Sequence, residues 1–159
     1  MAKVVFFCRI KKKSMLDSFE YYKQDIDALR ALGHEVSICN SFFKIPLKFD
    51  VMFIWWWTYA LWPVLICKLF RKPSIITGTF NFRFPKKIEK NDYFRRPFYQ
   101  RFLIKKATTL CSLNLFVNQL ELEECTKYFK LNNVGLYPHV IHNDYLNEPT
   151  RNNNNWLLN

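Results

Sequence analysis

A chain of 159 residues, half apolar and 18% aromatic, holds enough hydrophobic material for one packed domain, and global disorder is excluded. Only 3 glycines are present, which argues against glycine-rich phosphate loops and solenoid repeats. The formal net charge of +11 implies an anionic partner, whether nucleic acid, an anionic membrane surface or a phosphorylated ligand.

In chain order, Val4–Cys8 is a short apolar run of β-branched and aromatic residues, as expected of a strand buried on both faces. A basic loop, Arg9-Ile10-Lys11-Lys12-Lys13, follows. Asp17 to Leu32 has helical spacing, with Phe19, Tyr22, Ile26 and Leu29 along one face and Gly33 placed to end the helix. Glu35–Cys39 is the next strand. Strand, helix and strand within this span make a βαβ unit, which favours a parallel sheet with a right-handed crossover.

Asp50–Trp57 predicts a third strand. Pro63 suits the first turn of a helix through Val64–Phe70, whose C-terminal end is favoured by Lys68, Arg71 and Lys72. The whole run from Val51 to Cys67 is uncharged and reaches the lower edge of a membrane-span length. Pro63 splits it, however, and it fits the βαβ rhythm, so a buried strand and helix are expected. Ser74–Thr77 is a short fourth strand with a turn at Gly78. A helix from Pro97 to Lys106, a strand over Thr109–Val117, a helix over Gln119–Lys130 and a strand over Val134–Tyr137 complete the pattern. Asn118 is the expected N-cap of the third of these, and Glu121 completes a box-like start. The result is an α/β domain: a Rossmann-like, doubly wound, mostly parallel sheet with helices on both faces.

The charge is concentrated. Residues 83–106 carry 9 basic and 2 acidic side chains, and the basic residues alternate with Phe and Tyr. Arg83, Lys86, Lys87, Arg95, Arg96 and Arg101 in this stretch are candidate contacts to an anionic membrane, since interleaved cations and rings suit headgroups and insertion. A solvated loop followed by an ordinary amphipathic helix is the competing expectation.

Local catalytic signatures are absent. There is no G-x-G-x-x-G, no P-loop, and no metal-ligand spacing among His34, His139 and His142. His34 is expected at a helix–strand corner with its ring satisfied, and Glu121, Glu123 and Glu124 on the solvated first turns of a helix. The 5 cysteines contain no C-x-x-C pair and most sit in apolar runs, which suits buried thiols in a reducing, cytoplasmic setting. In doubly wound sheets, ligands bind at the carboxyl ends of strands near the topological switch point. Here those ends are 8–13, 57–59, 77–81 and Asn118, where Lys11–Lys13 could hold an anion or simply form a solvated face.

Several segments in order carry a resemblance. Ala31-Leu32-Gly33-His34-Glu35-Val36 resembles the first helix–strand corner of GT-B glycosyltransferases, family 4 in particular. The strand opened by Asp50-Val51 and the segment Lys72-Pro73-Ser74-Ile75-Ile76-Thr77 are similar to that family's third and fourth strands. Val117-Asn118 with Glu121 resembles its "v-S-x-x-E", and Tyr137-Pro138-His139-Val140-Ile141 its "i-P-N-G-v". Three departures accompany these matches. Cys8-Arg9-Ile10-Lys11 replaces a glycine-rich turn, Thr79 or Phe80 stands near the place of a histidine, and Val140 replaces a glycine.

The resemblance implies residues 1–146 as the acceptor-side N-terminal domain and 147–159 as a linker and the start of a missing C-terminal donor-binding domain, present in cis or in trans. The paired-glutamate E-x7-E motif of that second domain has no match here. The acceptor side would be formed by Arg9, Lys11, Lys12, Thr79, Phe80, Asn81 and Asn118, with no catalytic residue assignable and no metal. The resemblance further implies a sugar or lipid-linked acceptor, and location in the cytoplasm or peripherally at the membrane's cytosolic face. No cofactor is expected in this chain, and the full enzyme would use a nucleotide-sugar donor, so this chain alone should not catalyse transfer. The alternatives are a basic nucleic-acid-binding α/β domain, which lacks any recognition motif, and a membrane-anchored scaffold built around residues 51–67.

Overall fold

The computed structural model describes residues 1–10, 16, 19–80 and 93–138. Six strands form one sheet: β1 (Lys3–Cys8), β2 (Glu35–Cys39), β3 (Val51–Trp55), β4 (Ser74–Thr77), β5 (Leu113–Phe116) and β6 (Val134–Leu136). Every pairing is parallel and the order is β2-β1-β3-β4-β5-β6. Among the described residues, four α-helices connect them: α1 (Glu20–Ala31), α2 (Leu61–Leu69), α3 (Phe98–Leu110) and α4 (Gln119–Phe129). This is the expected Rossmann-like α/β architecture.

The sheet is apolar on both sides because helices cover both. Val5, Phe7, Met52, Ile54, Ile76 and Phe116 face a layer supplied by Val64 and Cys67 of α2, Ile104 and Ala107 of α3, and Cys125 and Phe129 of α4. On the opposite face Val4, Phe6, Phe53 and Trp55 pack against Tyr22 and Ile26 of α1. The alternation follows from the two-residue strand period. Fully burying one such side chain contributes about 1.5–3 kcal/mol, so the large central rings dominate the core.

The uncharged run at 51–67 divides into β3 and most of α2, as expected, and among the described residues no helix is long and apolar enough to cross a membrane. Pro63 is the third residue of α2, inside the first turn, whose amides lack intrahelical acceptors. Gly33 ends α1 with φ +80°; its amide donates to the Arg30 carbonyl, and the next amide, of His34, to that of Leu29.

Four expectations need correction. Helix α1 begins at Glu20, because Phe19 before it is extended. Helix α3 continues to Leu110, past the Lys106 end read from sequence, and β5 starts only at Leu113. Thr108 and Thr109 look like strand residues, but the Oγ1 of each donates to the Lys105 carbonyl, while Ala107 and Thr108 are buried, so packing holds the segment helical. His34 is at the corner, but its Nδ1 is buried without a hydrogen-bond partner among the described residues. Glu121 is buried rather than solvated, at 8% exposure, whereas Glu123 beside it is exposed. Residues 139–159, including His139, Val140, His142 and the proposed linker, lie outside the described residues.

Candidate binding crevice

The strand order reverses once. From β1 the chain crosses to β2 on one side, then returns to place β3 on the other, so the switch point lies between β1 and β3. Their last paired residues are Cys8 and Trp55, and Trp55 pairs in turn with Thr77 of β4. Over these three carboxyl ends opens a crevice of about 590 Å³. Arg9 follows β1, Trp56 to Tyr59 follow β3, and Thr79 and Phe80 follow β4. Tyr93, Arg96, Gln100 and Ile104 close it from the far side.

The floor is aromatic. Phe80, only 4% exposed, stacks on Tyr93 at 5.7 Å between centroids and meets Trp57 edge-on at 5.1 Å. Trp57 stacks on Phe116 at 5.0 Å and its Nε1 donates to the Gly78 carbonyl at 3.3 Å. From below, the buried Glu121 carboxylate accepts the Phe80 amide at 3.3 Å. The glutamate of the expected capping box thus serves a second loop, while Asn118 Oδ1 caps α4 as expected, accepting the Glu121 amide at 2.8 Å.

The walls are cationic and conformationally demanding. Arg96 Nη1 donates to Thr58 Oγ1 at 2.7 Å, which fixes the guanidinium at the rim, and the Arg9 guanidinium lies 5.0 Å above the Phe42 ring. None of the described lining residues is a carboxylate. Trp56 has φ +78° and ψ +116°, outside the region comfortable for a bulky side chain. Two hydrogen bonds hold it there: its amide to the Thr77 carbonyl at 3.1 Å and its Nε1 to the Tyr22 hydroxyl. Such an outlier costs about 1–3 kcal/mol and is characteristic of ligand clamps. Opposite it Gly78 has φ +130°, and a Cβ there would meet the Trp55 and Trp56 rings at 3.4 and 3.5 Å.

Of the residues expected on an acceptor side, Arg9, Thr79 and Phe80 are brought together here, the last contributing floor rather than a polar contact. Asn118 is exposed and outside the crevice, with its oxygen engaged in the cap. Lys11, Lys12 and Asn81 lie outside the described residues, as do Arg83, Lys86 and Lys87. Arg96, read as a membrane contact, lines the crevice, while Arg95 is exposed and Arg101 half-buried, its Nε without a partner among the described residues. Tyr93, Gln100 and Ile104 were not legible as site residues. The signal that could have found Gln100 and Ile104 was their four-residue spacing, which sets both on one face of α3.

Cys8, at the end of β1, is not a ready nucleophile. Cys8 is fully buried and burial pushes its thiol up to about 11, so it stays protonated at neutral pH. Burial likewise raises Tyr22 and Tyr93. Among the described residues no group of three His, Cys, Asp or Glu side chains could hold a metal ion. The described lining thus sets two guanidinium groups beside a mainly aromatic surface. No protein-family model matches the chain, and no curated protein is significantly similar to it.

Proposed function

We propose that the chain is the acceptor-side domain of a two-domain GT-B glycosyltransferase, and that its crevice takes a phosphate-bearing or sugar acceptor. The observation that carries this reading is the paired cationic rim, Arg9 and Arg96, over an aromatic floor at the switch point of a parallel sheet. The ordered resemblance of five segments to family 4 supports it. In this reading Arg96, braced by Thr58, and Arg9 hold the anionic group, and the ring of Trp56 or Tyr59 flanks the sugar. The donor would be a nucleotide-sugar held by a second domain, supplied in cis or in trans, and transfer would occur between the two. Work at a membrane's cytosolic face suits a lipid-linked acceptor.

Two measurements test this. In calorimetry the chain alone binds a hexose 1-phosphate, and Arg96→Gln weakens that binding by about tenfold or more, the loss expected for one charge-assisted bond. Nucleotide-sugars bind weakly or not at all. Tight binding of a nucleotide-sugar by this chain, or indifference of hexose-phosphate affinity to Arg96→Gln, overturns the assignment.

A further inference from the structure

We infer that the outer face of α2 and α3 is a docking surface for an anionic lipid bilayer. The two helices pack side by side against the sheet, and each presents an exposed apolar stripe. On α2 it comprises Trp62, Leu65 and Leu69, the last 78% exposed; on α3 it comprises Phe98, Tyr99 and Phe102, the first 76% exposed. These positions recur at helical spacing and sit opposite the buried residues Val64, Cys67, Ile104 and Ala107, so each helix is apolar on two sides. A helix of that kind in a small domain has a second apolar environment to meet.

Charge selects the occupant. Neither helix contains an aspartate or glutamate, and the stripe is bordered by the exposed cations Lys68, Lys105 and Lys106, with Lys106 Nζ 5.7 Å over the Phe102 ring. A second copy of this chain would set cations against cations across a two-fold axis. Nucleic acid would use the cations and rings but gains nothing from Leu65 and Leu69. Acyl chains, headgroup-level aromatics and anionic phosphates match all three classes at once.

Placement gives the surface a use. Tyr99 is exposed on this face while its neighbour Gln100 lines the crevice, and Tyr59, just before α2, belongs to the crevice wall. A bilayer against α2 and α3 therefore lies at the crevice mouth. Docking requires nothing of the transferase reading and survives its failure.

The test is sedimentation of the full chain with vesicles. It is expected to pellet with equal parts phosphatidylglycerol and phosphatidylcholine, and to stay in solution with phosphatidylcholine alone. Leu69→Ser and Phe98→Ser should each lower partitioning about tenfold or more, and Lys105→Gln and Lys106→Gln about fivefold each, with unchanged circular dichroism. In the wild-type chain, bromine-labelled acyl chains should quench tryptophan emission, a readout that depends on no variant. The inference is overturned by failure to bind anionic vesicles or by variants that partition like wild type. It is equally overturned if RNA is bound in place of vesicles, or if these substitutions only dissolve a dimer.

Discussion

Asp25 on α1 is 5% exposed, yet it carries a carboxylate into the apolar layer between α1 and the sheet. Trp55 Nε1 at the end of β3 and the Tyr137 hydroxyl just beyond β6 each donate to it at 2.7 Å. One carboxylate thereby ties together a helix, a central strand and the exit from the edge strand. Asp25→Ala leaves both donors without this acceptor, at about 1–3 kcal/mol each. Relief of the buried charge offsets part of that, so a net loss of about 2–4 kcal/mol is expected. With a urea slope of about 2 kcal/mol per molar, the unfolding midpoint followed by circular dichroism should fall by about 1–2 M. Tyr137→Phe alone should cost about 1 kcal/mol. In the double variant the losses should fall short of their sum by a similar amount, because the second change removes a bond the first has already broken. A midpoint that moves by less than about 0.3 M for Asp25→Ala, or strict additivity of the two substitutions, would refute this account of the cluster.

The five cysteines are all buried, and a thiol reagent should modify none of them in the native chain at neutral pH and all of them in urea. Rapid native labelling of any would contradict the packing. Burial raises Cys8 to about 11 and Cys67 and Cys111 to about 12, and also raises Tyr137 beside Asp25. Because these folded values exceed the unfolded ones, the stability they contribute is fully present below about pH 8 and is lost as pH rises through the thiol and then the phenol range. The urea midpoint should therefore decline above about pH 9, and a rise there would reverse the sign derived from burial. Gly78→Ala should destabilise by about 1–3 kcal/mol, since φ +130° is strained for any residue with a Cβ. An unchanged thermal midpoint would show that the turn relaxes freely.

Much of the fold was legible because its signals are local. Glu35–Cys39 and Ser74–Thr77 form strands with the bounds read from their β-branched, apolar runs, and Gly33 and Asn118 mark helix ends by side-chain chemistry alone. The boundary between α3 and β5 was not legible, because Thr108 and Thr109 favour strand until the burial of Ala107 and Thr108 is known. Glu121 illustrates the same limit: its position after Asn118 announces a helix start, but nothing nearby shows that Phe80 arrives to claim its carboxylate. The crevice divides likewise. Arg9 and Thr79 follow from the strand-end rule, whereas Tyr93 and Gln100 depend on how α3 docks.

The register of the sheet has a consequence for biosynthesis. Val4, in the earliest strand of this sheet along the chain, finds its partners only at Val36 and Val51, and even the nearest pairing of the later strands joins Asn114 to Val134. No hairpin exists among the described strands of this sheet to serve as an early nucleus, so folding belongs to the slower, millisecond-to-second regime of nonlocal topologies. During that wait Val4–Cys8, later the centre of the molecule, is a naked sticky segment. A nascent chain of this kind is a natural client of chaperones that shield extended apolar peptide until the partner strands have been synthesised.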